Sequence, residues 1–194
     1  AYKERGELIK RQLGGEKIPK EKFFLGFTRH TPTVISYGSE GLNGSIKGIG
    51  FVLKEEFLKD AIKAFRKHIE NTKENYEKQG LKLLLRYIYS KDAETKIDFK
   101  KLISLELAKK HTFKNVSEKG EVTLLYYEPP MISFEVRCSA QIYYDGLYFE
   151  FANTVHDLYH RPKKELSSAP AYVFEIKEIY NNSTTKDGFG KRLY

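Results

Sequence analysis

Apolar residues recur along this chain with two different periods, and the changes between them mark the elements. Residues 3–13 place Leu8, Ile9 and Leu13 at helical spacing before Gly14-Gly15, a stop signal, which predicts a short helix. "FFLGFT" (23–28) and "TVISYG" (33–38) read as strands around a turn with Pro32, and "SIKGIGFVL" (45–53) reads as a third. From 54 to 79 Phe57, Leu58, Ala61, Ile62, Phe65 and Ile69 keep a spacing of three and four, predicting a long amphipathic helix. Its outward charges, Glu55 with Lys59 and Glu74 with Lys78, read as a solvated, salt-bridged face. "LKLLLRYIY" (81–89) is almost continuously apolar and reads as a buried central strand. Asp98 then reads as the cap of a helix carrying Phe99, Leu102, Ile103 and Leu107 and running into "AKKHTFKNV".

Beyond residue 120 the period becomes two. "EVTLLYYE" (121–128) is a strand broken by Pro129-Pro130, and residues 131–143 alternate without a fault. Ile132, Phe134, Val136, Cys138, Ala140 and Ile142 share one face of it. "LYFEFANTVHDLYH" (147–160) reads as a helix, "AYVFEIKEIY" (171–180) as the last strand, and 181–194 as a polar, loose tail. Helices interleaved with a mainly antiparallel sheet make this an α+β chain, read as a single domain over 1–194 with no repeat and no linker.

Composition narrows the classes. The chain of 194 residues has ample aromatic surface for one core, a single cysteine and no apolar run of membrane-spanning length. A cytoplasmic protein with no membrane partner is expected. Abundant Lys and Glu with little Met or Cys fits a thermophilic source, and the net charge of +8 is compatible with a polyanionic partner.

The glycine-rich stretch 35–57, with Gly38, Gly41, Gly44, Gly48 and Gly50, invites a phosphate. A P-loop needs Lys and Ser or Thr after its last glycine, but Phe51 and Val52 follow. A dinucleotide fingerprint needs a third glycine where Leu53 stands. "YGS" (37–39) resembles the entry to a nucleotidyltransferase site, without the paired carboxylates that should follow. "SIKGIG" is similar to the acyl-CoA loop of N-acetyltransferases, with Ser45 in place of the expected Arg or Gln. The glycines read chiefly as corners between strands, and only Lys47–Gly50 keeps a ligand-binding reading, conditional on Lys47 or its amides facing a cleft.

Other candidates are thinner. His156 and His160 stand at i,i+4 as a zinc pair would, yet Asp157 is not the glutamate of a metalloprotease motif and no third ligand is marked, so no metal site is assigned. Cys138 lies on an apolar face and reads as an inert thiol. His30 and His111 miss the spacing of two-histidine phosphoesterases by one residue.

Residues 109–127, "KKHTFKNVSEKGEVTLLYY", with the alternating strand and the helix after it, resemble the second half of the FMN-binding split barrels related to pyridoxamine-phosphate oxidase. The resemblance implies that Lys110, Thr112 and Lys114 contact a flavin phosphate and that Asn115 holds the helix. Ammonium and hydroxyl donors converging on a dianion are chemically sound. The departure from the family is the charged helix of 54–79, where its first half has a strand meander. Three function classes remain open: a binder of a phosphate-bearing ligand such as FMN, a basic nucleic-acid-binding or scaffold protein without catalysis, and an N-acetyltransferase-like acyl-CoA binder. For the nucleic-acid class the candidate surface is "RPKKELSS" (161–168), Lys109, Lys110, Lys114, Lys186, Lys191 and Arg192 with Tyr143, Tyr144 and Tyr148.

Overall fold

The computed structural model describes residues 2–163 and 165–194, apart from the side chain of Phe23. In chain order the elements are α1 (Tyr2–Leu13), α2 (Lys20–Thr28), β1 (Thr33–Gly38), β2 (Gly41–Ile46), β3 (Gly50–Leu53), α3 (Glu55–Asn71) and α4 (Tyr76–Leu84). A π-helical turn (Leu85–Tyr89) continues α4. Then come α5 (Lys91–Glu94), β4 (Ile97–Leu105), α6 (His111–Lys119), β5 (Glu121–Glu128), β6 (Ile132–Tyr143), α7 (Gly146–Tyr159), β7 (Ala171–Asn181) and β8 (Lys191–Arg192). The strands hydrogen-bond in the order β2-β1-β5-β6-β7-β4-β3, with β8 added to β7. The α+β class with a mainly antiparallel sheet is what the structure has.

Backbone contacts gather into two compact units, each built from three stretches of chain. The first (1–19, 51–99, 143–171) is mostly helical. Its α3 buries Leu58, Phe65 and Ile69, and Phe65 packs on Phe151 of α7 and edge-on against Tyr87, with ring centroids 6.1 and 5.5 Å apart. The Tyr2 hydroxyl donates to the Ile88 carbonyl at 2.5 Å, tying α1 to the π turn. The second unit (20–50, 100–142, 172–194) holds most of the strands. β1 pairs antiparallel with β2 and with β5, and β5 pairs antiparallel with β6.

Four sequence expectations are corrected. The helix expected over 54–79 ends at Asn71; Thr72 is extended and Asn75 is left-handed, so Glu74 lies outside α3. "LKLLLRYIY" is helical rather than a strand, because leucine is a strong helix former and a short apolar run carries no period of its own. "FFLGFT" belongs to α2, which starts directly after Pro19, a residue suited to the head of a helix, and has Glu21 in its first turn. Asp98 caps no helix. It lies inside β4, where Phe99 and Ile103 satisfy period two as well as the helical stripe that suggested otherwise.

Residues 181–194, expected as a tail, carry β8, whose Lys191 and Arg192 pair with Asn181 and Tyr180. The buried Ser183 accepts from the Ser133 amide at 3.0 Å through its hydroxyl.

Candidate functional site

The residues singled out by the flavin resemblance come together in the second unit, where α6 lies against the β1–β2 hairpin. Two glycines permit this. An added Cβ at Gly38 would stand 2.7 Å from Asn115 Oδ1 and 3.0 Å from its Cα, so only glycine lets α6 approach so closely. Gly41 turns the hairpin at φ +76°. Asn115, buried, then reads the turn with both ends of its amide: Oδ1 accepts from the Glu40 amide (3.1 Å) and Nδ2 donates to the Gly41 carbonyl (2.9 Å). Glu118 accepts the Ser39 amide at 2.8 Å. One turn earlier on α6 the buried Thr112 Oγ1 accepts from Asn43 Nδ2 at 2.6 Å and shares a hydrogen bond with Ser45 at 2.8 Å.

Thr112 and Asn115 are therefore both engaged with the hairpin. The two lysines differ. Lys110 is exposed at the N-cap position, where no side chain caps α6, and the first backbone bond runs from the Lys114 amide to the Lys110 carbonyl. The first-turn amides form the positive end of the helix dipole. Lys114 and His111 flank that end, each beside Glu40 at 2.5 and 3.5 Å. The hydrogen bond from Lys114 holds the Glu40 carboxyl below its ordinary range.

Just ahead of α6 is a network that sequence reasoning missed. Glu106 Oε2 accepts from Lys47 Nζ (2.7 Å) and the Tyr172 hydroxyl (2.6 Å), while Oε1 accepts the amides of Ala108 (2.6 Å) and Lys109 (2.7 Å). Burial pushes this carboxyl up, but the hydrogen bonds from Lys47, Tyr172 and the two amides outweigh it and leave it at about 2. Lys47, the surviving candidate of the glycine-rich stretch, is thus committed to a buried carboxylate, and its ammonium also lies 5.2 Å from the Tyr172 ring centroid. The loop 47–49 joins two strands rather than heading a helix, unlike an acyl-CoA loop. The available signal was Glu106 itself, a lone acid in the apolar run "LISLELA".

In the first unit His156 Nδ1 is 3.0 Å from Ser167 Oγ, and Asp157 accepts both the Ser167 amide (2.9 Å) and its hydroxyl (2.5 Å). The His156 and His160 rings are 4.9 Å apart, and among the described residues no three metal-ligating side chains gather. Burial pushes the Cys138 thiol up to about 12, as an inert thiol requires. Of the expected basic surface, Arg192 pairs with Glu178 (3.2 Å) and Lys191 stands 3.8 Å from Asp187; Lys164 lies outside the described residues. No helix of the described residues is long and apolar enough to cross a membrane.

No protein-family model matches the sequence, and no curated protein matches it. Among solved structures the chain is similar to HupZ of Group A Streptococcus, with 13% identity over 92% of this chain and 100% of that one, at a TM-score of 0.51. It is also similar to a putative pyridoxamine 5′-phosphate oxidase from Lactobacillus delbrueckii, with 15% identity over 84% and 93% at 0.46. A third match is an FMN-binding protein from Syntrophomonas wolfei, with 12% identity over 86% and 91% at 0.45. The likeness to HupZ, at 13% identity, is one of fold.

Proposed function

We propose that the second unit binds a phosphate-bearing small molecule at the amino end of α6, and that a flavin nucleotide is that ligand. The observation that carries the reading is the uncapped first turn of α6, with the exposed Lys110 at its N-cap position and the side chains of His111 and Lys114 meeting at Glu40 beside it. Free helical amides and ammonium donors are what a phosphate dianion requires, and they fit the phosphate end of FMN. In this reading Lys110 and Lys114 hold the phosphate. Thr112 and Asn115 act one step back, fixing α6 on the hairpin so that its first turn keeps its aim. Glu40 stays between Lys114 and His111, sharing their charge. The flavin identity rests on the resemblance of residues 109–127.

Flavin fluorescence tests it directly. FMN added to the protein is expected to be quenched saturably, and Lys110→Ala/Lys114→Ala to weaken binding by roughly tenfold or more, about 1.4 kcal/mol per tenfold. Absence of quenching at saturating FMN ends the flavin reading, and undiminished binding by the double variant removes it from α6.

A further inference from the structure

A different site in the first unit carries a separate proposal. A cleft of about 510 Å³ opens between α3, the π turn and the start of β4. Four cationic side chains line it: Lys63 and Lys67 from α3, Arg86 from the π turn, and Lys96 just before β4. Asp60 is the one carboxylate among the described lining side chains. None of the four cations has a carboxylate within ion-pair distance among the described residues, although α3 does place Arg66 3.0 Å from Glu150 outside the cleft. Lys63 and Lys67 stand at i,i+4, where like charges repel one another. Arg86 lies 5.5 Å from the Tyr87 ring centroid and Lys96 lies 5.4 Å from that of Phe57, so two of the cations rest on aromatic rings lining the same cleft. A cation held on a ring face keeps hydrogen-bond donors for another partner.

The backbone adds an independent sign. Arg86 and Tyr87 reach the cleft from a π-helical turn, an irregularity found frequently at functional sites. A stability account of these lysines would give each a carboxylate, as the sequence suggested for the outward face of the helix. Here the positive charge is concave, in excess over the single Asp60 carboxylate, and partly pre-oriented by rings.

We propose that this cleft binds a small polyphosphorylated ligand, the linked phosphates lying among Lys63, Lys67, Arg86 and Lys96. The volume is that of a small-molecule pocket, and a chain of phosphates meets several cations where a single phosphate meets few. The shared chemistry is the polyphosphate chain, whether or not it carries a nucleoside.

Isothermal titration of the full chain at low salt with sodium tripolyphosphate, ATP and adenosine tests this. Tripolyphosphate and ATP are expected to bind and adenosine not to. Binding only by ATP would place a nucleoside requirement on the site and overturn the polyphosphate assignment, as would binding by neither anion. Lys63→Gln/Lys67→Gln is expected to weaken tripolyphosphate binding by roughly tenfold or more, since two of the neutralising charges are removed. The charge-matched control Lys78→Gln/Lys82→Gln, on exposed positions of α4 outside the cleft, is expected to bind as the parent does. Equal losses in both double variants would reduce the effect to general attraction by a basic protein and overturn the proposal. The Lys110→Ala/Lys114→Ala protein is expected to bind tripolyphosphate normally, which separates this outcome from that of the flavin reading.

Discussion

Glu106 is 2% exposed and Lys47 11%, so the pair exchanges hydration for a set of four hydrogen bonds on one carboxylate. Such a pair is a poor source of net stability against an apolar substitute, but removing one partner strands the other. Lys47→Met is therefore expected to destabilise by about 3 kcal/mol, read as a fall in urea midpoint. The pH dependence has a definite sign. The Glu106 carboxyl is held down at about 2 from an ordinary 4.5, so its stabilising contribution is whole above about 4.5 and is lost as pH falls toward 2. Urea midpoints of the parent and of Glu106→Gln should converge across that window; parallel curves down to pH 2 would contradict it. Little of this was legible in sequence. Lys47 was recognised as a residue of interest, but its partner is 59 positions away, and neither spacing nor composition links "SIKGIG" to "LISLELA". A holding role for Asn115 was implied only by the family resemblance of residues 109–127, and no local pattern marked its bonds to the hairpin turn. The engagement of Thr112 was equally unmarked, since Asn43 and Ser45 reach it only once β2 is folded back.

The segments misread from sequence were those whose apolar residues fit two periods, and α4 shows what decides between them. Gly80 is buried inside α4, where an added Cβ would stand 2.6 Å from the Leu158 carbonyl oxygen of α7. The Tyr76 hydroxyl fastens the same two helices by donating to the Asp157 carbonyl at 2.6 Å. The glycine is thus a contact residue, which intrinsic propensity cannot reveal. Gly80→Ala makes the two effects compete: alanine gains about 1 kcal/mol of helix propensity, and overpacking against a rigid carbonyl costs about 1–3 kcal/mol. A net loss in urea denaturation is expected, whereas a gain would mean that α4 does not lie against Leu158. The strands β5 and β6 and the helices α1 and α7 were legible because a single period runs through each without interruption. The cleft-lining Lys63 and Lys67 were legible as outward positions of α3 but not as a site, because Arg86 and Lys96 join them only through the break at 72–75 and the π turn.

At the scale of the molecule, the α+β class followed from the alternation of periods, but the gathering of contacts into two units has no compositional mark. The chain passes from one unit to the other between residues 19 and 20, 50 and 51, 99 and 100, 142 and 143, and 171 and 172. A cut between 142 and 143 therefore leaves neither unit whole. The first loses α7, whose Phe151 and Leu158 are fully enclosed against a core that includes Phe65; the second loses β7, with the enclosed Tyr172 and Phe174. Deleting one large core side chain costs about 3–5 kcal/mol, and the stability of an entire domain is about 5–15 kcal/mol. Losing two such side chains from a unit removes about 6–10 kcal/mol, comparable with that whole margin before the lost backbone hydrogen bonds are added. The fragment 1–142 is accordingly expected to show no cooperative urea transition by far-UV circular dichroism and to bind a hydrophobic dye that the full chain does not. A chain made of two consecutive domains would behave otherwise, because its amino-terminal half would keep a sigmoidal transition of its own. Retention of such a transition by the fragment would mean that one of the two units does not depend on the segments it draws from beyond residue 142.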